Sequence, residues 1–340
     1  MTRNQVFQYR KTRWLAILIV TIVASLFLSS CGWQAAPKTY RVGILSGLDF
    51  FANTADGFKA EMTELGYVEG ETIVYDIQQT NFDPVEEQRI LEKFVADDVD
   101  LIFTFPTEVS LAAKAATAGT DIPVLFANAN IEGVGLVDSV RQPGGHVTGV
   151  RYPGPDLALK RFEILLELMP EAKRIWIPYQ EGYPIVSEQL KALEPVAESL
   201  GISLVEVPAT GPADIGAKLQ AQAEADGVGP DAILMIAEPL TVTPDAFAVL
   251  GQFAAEYNVP MGGAMISIGD YGTIFGVSTD NVAVGKQAAS LADQILKGTE
   301  AGTLPVVSAE GYLQLNYKLA EEVGLTVPEG MLVQATEIIR

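Results

Sequence analysis

Apolar positions follow two alternating spacings from residue 40 onwards. Short runs rich in β-branched residues, typical of buried strands, are separated by stretches with apolar residues three and four positions apart, typical of amphipathic helices. In the first half this pattern predicts strands at 41–46, 72–78, 100–104 and 122–128, and helices at 54–65, from 83 onwards and at 107–117. Asp83-Pro84 favours a helix start, because Asp caps free N–H groups and Pro fits the first turn.

A second series of the same kind begins near Pro153. It predicts strands at 174–179, 203–207, 232–237, 259–265, 274–277 and 306–315, and helices at 156–169, 186–200, 212–225, 244–257 and 282–296, with two short helices after them. Pro195 is expected to kink or divide its helix. Strands separated by helices imply right-handed crossovers, so the chain is predicted to form an α/β fold of two doubly wound, Rossmann-like lobes with parallel sheets.

The carboxyl ends of the strands predict where a small ligand binds. In doubly wound sheets ligands bind beyond those ends, and two facing lobes turn that crevice into an interlobe cleft. The candidate ligand-binding residues are polar or aromatic and follow strands: Ser46, Asn81, Thr104, Thr107, Asn128 and Asn130 in lobe one, and Tyr179, Tyr183, Glu238, Ser267 and Asp270 in lobe two.

The chemistry of these candidates suits a zwitterion. The two threonines flank Pro106 at a helix start, an arrangement that can hold a carboxylate through hydroxyls and free N–H groups. The two tyrosines can stack on an aromatic or apolar ligand, and Glu238 and Asp270 can pair with an ammonium group. Turn formation, helix capping and ordinary loop positions remain alternative roles for these side chains.

The first 30 residues have the organisation of a secretory signal. Basic residues precede an apolar run at 14–28, which is shorter than the roughly 20 residues that a membrane span needs. The run ends in Leu28-Ser29-Ser30-Cys31-Gly32, which resembles the bacterial lipobox. We therefore expect a signal peptide at 1–30, lipidation of Cys31, a tether at 31–39 and a body anchored outside the cytoplasm, in the periplasm or on the cell surface. An uncleaved membrane helix is the alternative, and it places the body on the same side.

Composition narrows the function classes. The 340 residues carry a formal net charge of −21, which argues against nucleic acid as a partner. With one cysteine and one histidine, no intrachain disulfide and no Cys/His metal cluster can form. His146 lies in a glycine-rich turn and is expected on a surface loop. Because phosphate-loop, dinucleotide and nucleophile-elbow motifs are absent, no catalytic residue, metal or cofactor is predicted.

Several stretches of the body match a known family pattern. They lie at 57–58, 65–70, 94–102, 122–126, 135–137, 143–150, 315–320 and 324–332. The most specific are the Pro143-Gly144-Gly145-His146-Val147-Thr148-Gly149 turn and the Gly324-Leu325-Thr326-Val327-Pro328 ending. Together they resemble the ABC-transporter substrate-binding proteins of the type I periplasmic-binding fold, in the branch that includes tryptophan and tyrosine transport receptors.

The resemblance implies a chain that passes between lobes three times, near 148–152, 267–273 and 304–311. Lobe one would then comprise 40–150 plus 274–306, and lobe two 151–273 plus 307–340. The lobes would close on a small solute, an amino acid in this branch, and deliver it to ABC permease subunits driven by a cytoplasmic ATPase. A monomer suits this role.

Two cleft segments depart from the family pattern. Thr104-Phe105-Pro106-Thr107-Glu108 occupies the place of a Thr-x-x-Pro-Ala-Ala run that relatives often carry, and Asn130-Ile131-Glu132 the place of Thr-Asp-Pro. A binding module that signals to a membrane partner is the alternative function, because fold alone does not separate sensing from transport. An extracytoplasmic enzyme is a third, disfavoured by the missing motifs.

Overall fold

Buried β-branched runs form strands and amphipathic stretches form helices in the computed structural model, which describes residues 38–226 and 229–340. The strands are β1 (Tyr40–Ser46), β2 (Ile73–Gln79), β3 (Leu101–Phe105), β4 (Val124–Ala129), β5 (Val147–Arg151), β6 (Arg174–Gln180), β7 (Ser203–Ala209), β8 (Ala232–Met235), β9 (Met261–Gly263), β10 (Ser267–Ile268), β11 (Tyr271–Gly272), β12 (Phe275–Thr279), β13 (Val307–Ser308), β14 (Gly311–Asn316) and β15 (Glu337–Ile339). The helices are α1 (Ala52–Glu64), α2 (Pro84–Ala96), α3 (Thr107–Ala116), α4 (Gly154–Leu168), α5 (Val186–Ser199), α6 (Pro212–Asp226), α7 (Pro244–Tyr257), α8 (Asn281–Leu296), α9 (Tyr317–Glu322) and α10 (Glu329–Gln334).

Lobe one is built on a six-stranded sheet in the order β13-β5-β4-β3-β1-β2, with every pair parallel. One face of this sheet packs on α1 and α8, and the other packs on α2 and α3. The close approach of α1 and α8 depends on glycine: a Cβ added at Gly57 would lie 2.1 Å from the Val282 carbonyl oxygen. The predicted cap of α2 is confirmed, since the Asp83 side chain accepts from the N–H groups of Val85 and Glu86.

Lobe two is built on a seven-stranded sheet in the order β15-β14-β12-β9-β8-β6-β7. Its pairs are parallel except β12 with β14, which is antiparallel. Helices α4 and α5 pack on one face, and α6 and α7 on the other. Helix α5 is continuous through Pro195, so the division of this helix predicted at the proline does not occur. The fold is thus the predicted α/β arrangement of two doubly wound lobes.

The second passage between lobes lies later in the chain than predicted. Residues 267–272 form the β10–β11 hairpin, and β12, predicted to open the second part of lobe one, pairs with β9 and β14 in the lobe-two sheet. The chain returns to lobe one only at Asp280, which caps α8. β13, predicted for lobe two, pairs with β5 in lobe one. A buried β-branched run specifies a strand, but not the sheet that it joins.

Strand β5 was absent from the predicted elements, because its Val-Thr-Gly-Val core follows a glycine-rich turn and reads as part of that turn. It leads into the first passage between lobes, at residues 152–153. The third passage lies between β13 and β14, where the Ala309 N–H donates to the Arg151 carbonyl oxygen at 2.9 Å. The first and third passages are therefore hydrogen-bonded side by side.

Cys31 and the predicted signal peptide lie outside the described residues, so lipidation stays a prediction. Among the helices of the described ranges, none combines the length and the apolar character that crossing a bilayer requires.

Candidate functional site

The lobe-one sheet opens a crevice between the carboxyl ends of β1 and β3. The chain leaves β1 towards α1 on one face and leaves β3 towards α3 on the other face, so the two loops diverge. Doubly wound sheets bind their ligands at such a switch point. The loop after β1 spans residues 47–51, and residues 106–108 lead from β3 into the first turn of α3.

Lobe two repeats this arrangement between β6 and β8. Residues 181–185 lead from β6 to α5 on one face, and residues 236–243 lead from β8 to α7 on the other. We call residues 47–51, 106–108, 181–185 and 236–243 the four switch loops. Each lobe contributes two of them.

A hydrogen bond joins the switch loops of the two lobes. The Tyr183 hydroxyl, after β6, donates to Glu108 Oε1 in the first turn of α3. Burial raises the pKa of the Tyr183 phenol, and the nearby carboxylates of Glu108 and Glu238 raise it further, so the phenol keeps its proton and acts as a donor. The predicted residue Tyr183 therefore lies between the lobes.

Glu108 keeps one oxygen free for another partner. Its Oε2 atom is shielded from solvent and has no hydrogen-bond partner among the described residues. A shielded carboxylate oxygen without a donor is costly, so a donor is expected when the cleft is occupied. Sequence reasoning did not nominate Glu108. The available signal was its departure from the small residues that relatives often carry at this place.

Asn128 has a second unmet acceptor in lobe one. Its Nδ2 donates to Thr54 Oγ1 at 3.0 Å and to Asn281 Oδ1 at 3.1 Å, while its Oδ1 is buried without a partner in the described chain. Asn281 in turn donates to the Phe50 carbonyl oxygen at 2.9 Å. The predicted residue Asn128 thus lies directly behind the loop after β1, linked to it through Asn281.

Aromatic surface borders the lobe-one crevice. Phe50 leaves 55% of its surface exposed, and its ring meets Phe51 edge-on with the ring centroids 5.0 Å apart. A phenylalanine that only packs a core is usually buried, so the exposure of Phe50 in a switch loop is unusual. Sequence reasoning missed both residues, because the strand-end rule looked for polar side chains.

Glu238, the predicted ammonium partner in lobe two, serves its own loop. Its Oε2 accepts from the N–H groups of Leu240 at 2.8 Å and Gln180 at 3.2 Å, and its Oε1 accepts from that of Thr241 at 2.6 Å. The residue is almost wholly buried. Its carboxylate therefore fixes the turn after β8 and the end of β6.

Several predicted lobe-one residues are engaged within their lobe. Thr104 is buried inside β3 and its hydroxyl donates to Ser110 Oγ at 3.1 Å. Thr107 Oγ1 accepts from the Asn130 N–H at 3.0 Å, which brings those two predicted residues together. The Ser46 hydroxyl donates to the Leu48 carbonyl oxygen at 2.7 Å.

Other predicted residues lie apart from the switch loops. Asn81 is exposed after edge strand β2 and accepts from the Gln79 side-chain amide at 2.9 Å. The Tyr179 hydroxyl donates to Glu206 on the adjacent strand β7. Ser267 and Asp270 are exposed on the β10–β11 hairpin, which packs against α7. The structure does not bring these four residues together with Glu108 and Tyr183.

Two arginines mark the hinge. Arg161 on α4 is fully buried; its Nε and Nη2 donate to the Val277 carbonyl oxygen at 2.9 and 2.7 Å, and Nη2 also donates to the Tyr152 hydroxyl. Arg151 pairs with Glu132 and with Asp156. These contacts tie the first passage between lobes to its neighbours, and sequence reasoning did not identify them.

No metal centre is found in residues 38–226 and 229–340, which contain no group of three or more His, Cys, Asp or Glu side chains that could hold an ion. His146 lies at the start of β5, where its Nε2 and Thr117 Oγ1 are 2.7 Å apart. Burial lowers the pKa of His146, and nearby Lys114 lowers it further. The histidine is therefore a neutral structural residue at the opposite end of the sheet from the switch loops.

Comparison with known proteins gives consistent results. The chain is 28% identical over 257 residues to a tyrosine-binding protein of Clostridioides difficile strain R20291, covering 75% of this chain and 71% of that one. A conserved domain protein of Vibrio cholerae matches with a TM-score of 0.74 and 29% identity, over 88% of this chain and 100% of that chain. A Streptococcus pneumoniae ABC domain in complex with L-Trp shares the fold, with a TM-score of 0.76 and 22% identity over 89% of this chain and all of the other.

The family model for ABC transporter substrate binding proteins matches residues 44–339. Members of this family are extracytoplasmic receptors that bind small solutes and work with ABC permeases. The match spans both sheets and all four switch loops, so it confirms the resemblance drawn from the sequence. The chain belongs to the ABC transporter substrate-binding protein family.

Proposed function

We propose that the protein captures an amino acid between its lobes and delivers it to an ABC permease. The observation that carries the amino-acid class is Glu108, which bridges the lobes through Tyr183 and keeps a shielded oxygen without a partner. A cationic group of an amino acid, either an ammonium or a guanidinium, offers the donors that this oxygen lacks, and such charge-assisted hydrogen bonds are strong.

The rest of the solute would contact elements around the same crevice. Asn128 Oδ1 offers a second acceptor, and the exposed ring of Phe50 offers an apolar surface. The α-carboxylate would meet N–H groups at the start of α3, where the helix dipole favours negative charge. The tyrosine-binding relative and the tryptophan-bound structure support an amino acid as the class.

The test is a thermal-shift panel on the purified full-length protein with amino acids, short peptides, nucleosides and sugars. A solute at 100 times its dissociation constant stabilises a protein by about 2.7 kcal/mol, which is a shift of a few degrees at this size. An amino acid is expected to give this shift. A shift given only by a sugar or a nucleoside would overturn the amino-acid class.

We also propose that the receptor is a monomer anchored through a lipid on Cys31. The lipobox-like sequence 28–32 after a basic and apolar leader supports the anchor. Cys31→Ala is expected to release the protein from membranes or to leave its precursor unprocessed. Mature, lipid-modified protein in that variant would contradict the anchor, and a dimer by light scattering would contradict the monomer.

A further inference from the structure

The switch loops carry charge of one sign only. They contain Asp49, Glu108, Glu181 and Glu238, and no Lys, Arg or His. Of these acids, Glu238 is satisfied by three backbone N–H groups, whereas Glu108 has only the Tyr183 hydroxyl. The switch loops themselves therefore present a negative field to a bound solute.

A further carboxylate stands behind Glu108. Glu87 on α2 is buried and accepts from Thr80 Oγ1 at 3.2 Å. Burial raises the pKa of Glu87, and the charge of Glu108 raises it further. None of the ion pairs in the described part of the chain includes Glu87, Glu108 or Glu238.

Two basic side chains on the lobe-one side of the chain, Arg151 and Lys114, are occupied elsewhere. Arg151 pairs with Glu132 and Asp156, and its Nε donates to Ser308 Oγ at 2.7 Å. Lys114, further along α3, donates to the carbonyl oxygens of Gly135 and Leu136 at 2.7 and 3.0 Å. Neither of these two cations pairs with Glu108.

We propose that the solute is a net-cationic amino acid, and that its side-chain cation pairs with Glu108 Oε2 opposite Tyr183. A neutral amino acid would place its α-carboxylate at the start of α3 and would bring a single positive group to the acidic switch loops. A basic amino acid adds a second positive group, and complementary charge selects it over neutral analogues. The proposal rests on the amino-acid class proposed above and narrows it.

The aromatic border of the crevice fits the same solute. Phe50 is exposed in the loop after β1, and Tyr183 lies in the facing lobe. A guanidinium or ammonium group stacks favourably on an aromatic face. A carboxylate combined with an exposed aromatic ring therefore accommodates both the charge and the apolar stem of a long cationic side chain.

Calorimetric titration of the full-length protein with charge-matched pairs tests this inference. Arginine is compared with citrulline, and lysine with Nε-acetyllysine, because each pair differs chiefly in the side-chain charge. We expect arginine or lysine to bind at least about tenfold more tightly than its neutral analogue, with an affinity that falls as salt is added.

The variant Glu108→Gln keeps the size of the side chain and an acceptor for Tyr183, but removes the charge. It is expected to weaken binding of the cationic amino acid about 10- to 100-fold and of the neutral analogue less than about threefold. Glu92→Gln, on the exposed face of α2, is the matched control and is expected to change neither affinity.

The outcomes separate the two proposals. Equal binding of citrulline and arginine, or binding of neutral amino acids alone, overturns the cationic class and leaves the amino-acid receptor intact. If the protein binds the cationic amino acid selectively but Glu108→Gln does not weaken that binding, the assignment of Glu108 is overturned. Failure of every amino acid, charged or neutral, to bind the folded protein overturns both proposals.

Discussion

Glu108 and Glu238 hold equivalent places in the two lobes, yet their surroundings differ. Each follows the strand that borders its sheet's switch point, β3 in lobe one and β8 in lobe two. Three backbone N–H groups saturate Glu238, whereas Glu108 has one hydroxyl donor and one bare oxygen. A carboxylate that follows a strand can thus accept hydrogen bonds from its own loop or from a ligand. The number of its oxygens without a donor distinguishes the two roles.

The largest expected effect on stability comes from Glu238. Glu238→Ala leaves three buried N–H groups without their acceptor, so the free energy of unfolding should fall by about 3 kcal/mol. Denaturant unfolding measures this, and Glu181→Ala, an exposed acid in the other switch loop of lobe two, is the control that should change little. If Glu238→Ala is as stable as the wild type, Glu238 does not stabilise its own loop, and the proposed difference between Glu238 and Glu108 is wrong.

Tyr183→Phe should have an intermediate effect, and on affinity rather than on stability. It removes the hydroxyl that joins the lobes at Glu108, so the solute affinity should fall about three- to tenfold. Tyr179→Phe is the matched control, because that hydroxyl also donates to a glutamate but does so within lobe two. Titration of the two variants with the same amino acid separates them; equal losses would show that Tyr183 has no special role between the lobes.

The smallest expected effect is a pH dependence at Glu87. Burial raises the pKa of this carboxyl in the folded protein, so folding favours its protonated form. Its unfavourable effect on stability is absent below the unfolded pKa of about 4.3 and grows as pH rises through the folded pKa. Glu87→Gln should therefore stabilise the protein at pH 7 by less than about 1 kcal/mol and not at pH 4.

Thermal unfolding of Glu87→Gln at the two pH values checks this sign, with Glu92→Gln, also on α2, as the exposed control. Stabilisation of the variant at pH 4 but not at pH 7 would contradict it. Because Glu108 contributes to the raised pKa, a bound cation near Glu108 should reduce the difference between wild type and Glu87→Gln.

The sequence was sufficient to predict the scaffold because scaffold formation depends on periodic patterns. Apolar spacing identified strands and helices in both lobes, and Asp83 was correctly predicted to cap α2. The predicted position of the second passage between lobes, 267–273, was wrong. Residues 267–272 form the β10–β11 hairpin, and β12 after them joins the lobe-two sheet. Nothing in the pattern of β12 indicates which sheet supplies its hydrogen bonds.

The candidate site was only partly predictable. Tyr183 follows a strand and hydrogen-bonds to Glu108 of the other lobe, and Asn128 lies behind the loop after β1, but Thr104 was nominated by the same rule and lies inside β3, which continues to Phe105. Because β3 ends one residue later than predicted, the Thr104 side chain lies within the sheet and not beyond its end. Phe50 and Glu108 were missed because their role depends on loop geometry and on the facing lobe, which no local pattern encodes.

A crystal structure of the protein with bound arginine tests the central claim most directly. The account predicts a guanidinium nitrogen within hydrogen-bond distance of Glu108 Oε2, about 2.7–3.2 Å, with the Tyr183 hydroxyl on the other oxygen of the same carboxylate. Arginine bound with its guanidinium group away from Glu108, and Oε2 still without a donor, would contradict it.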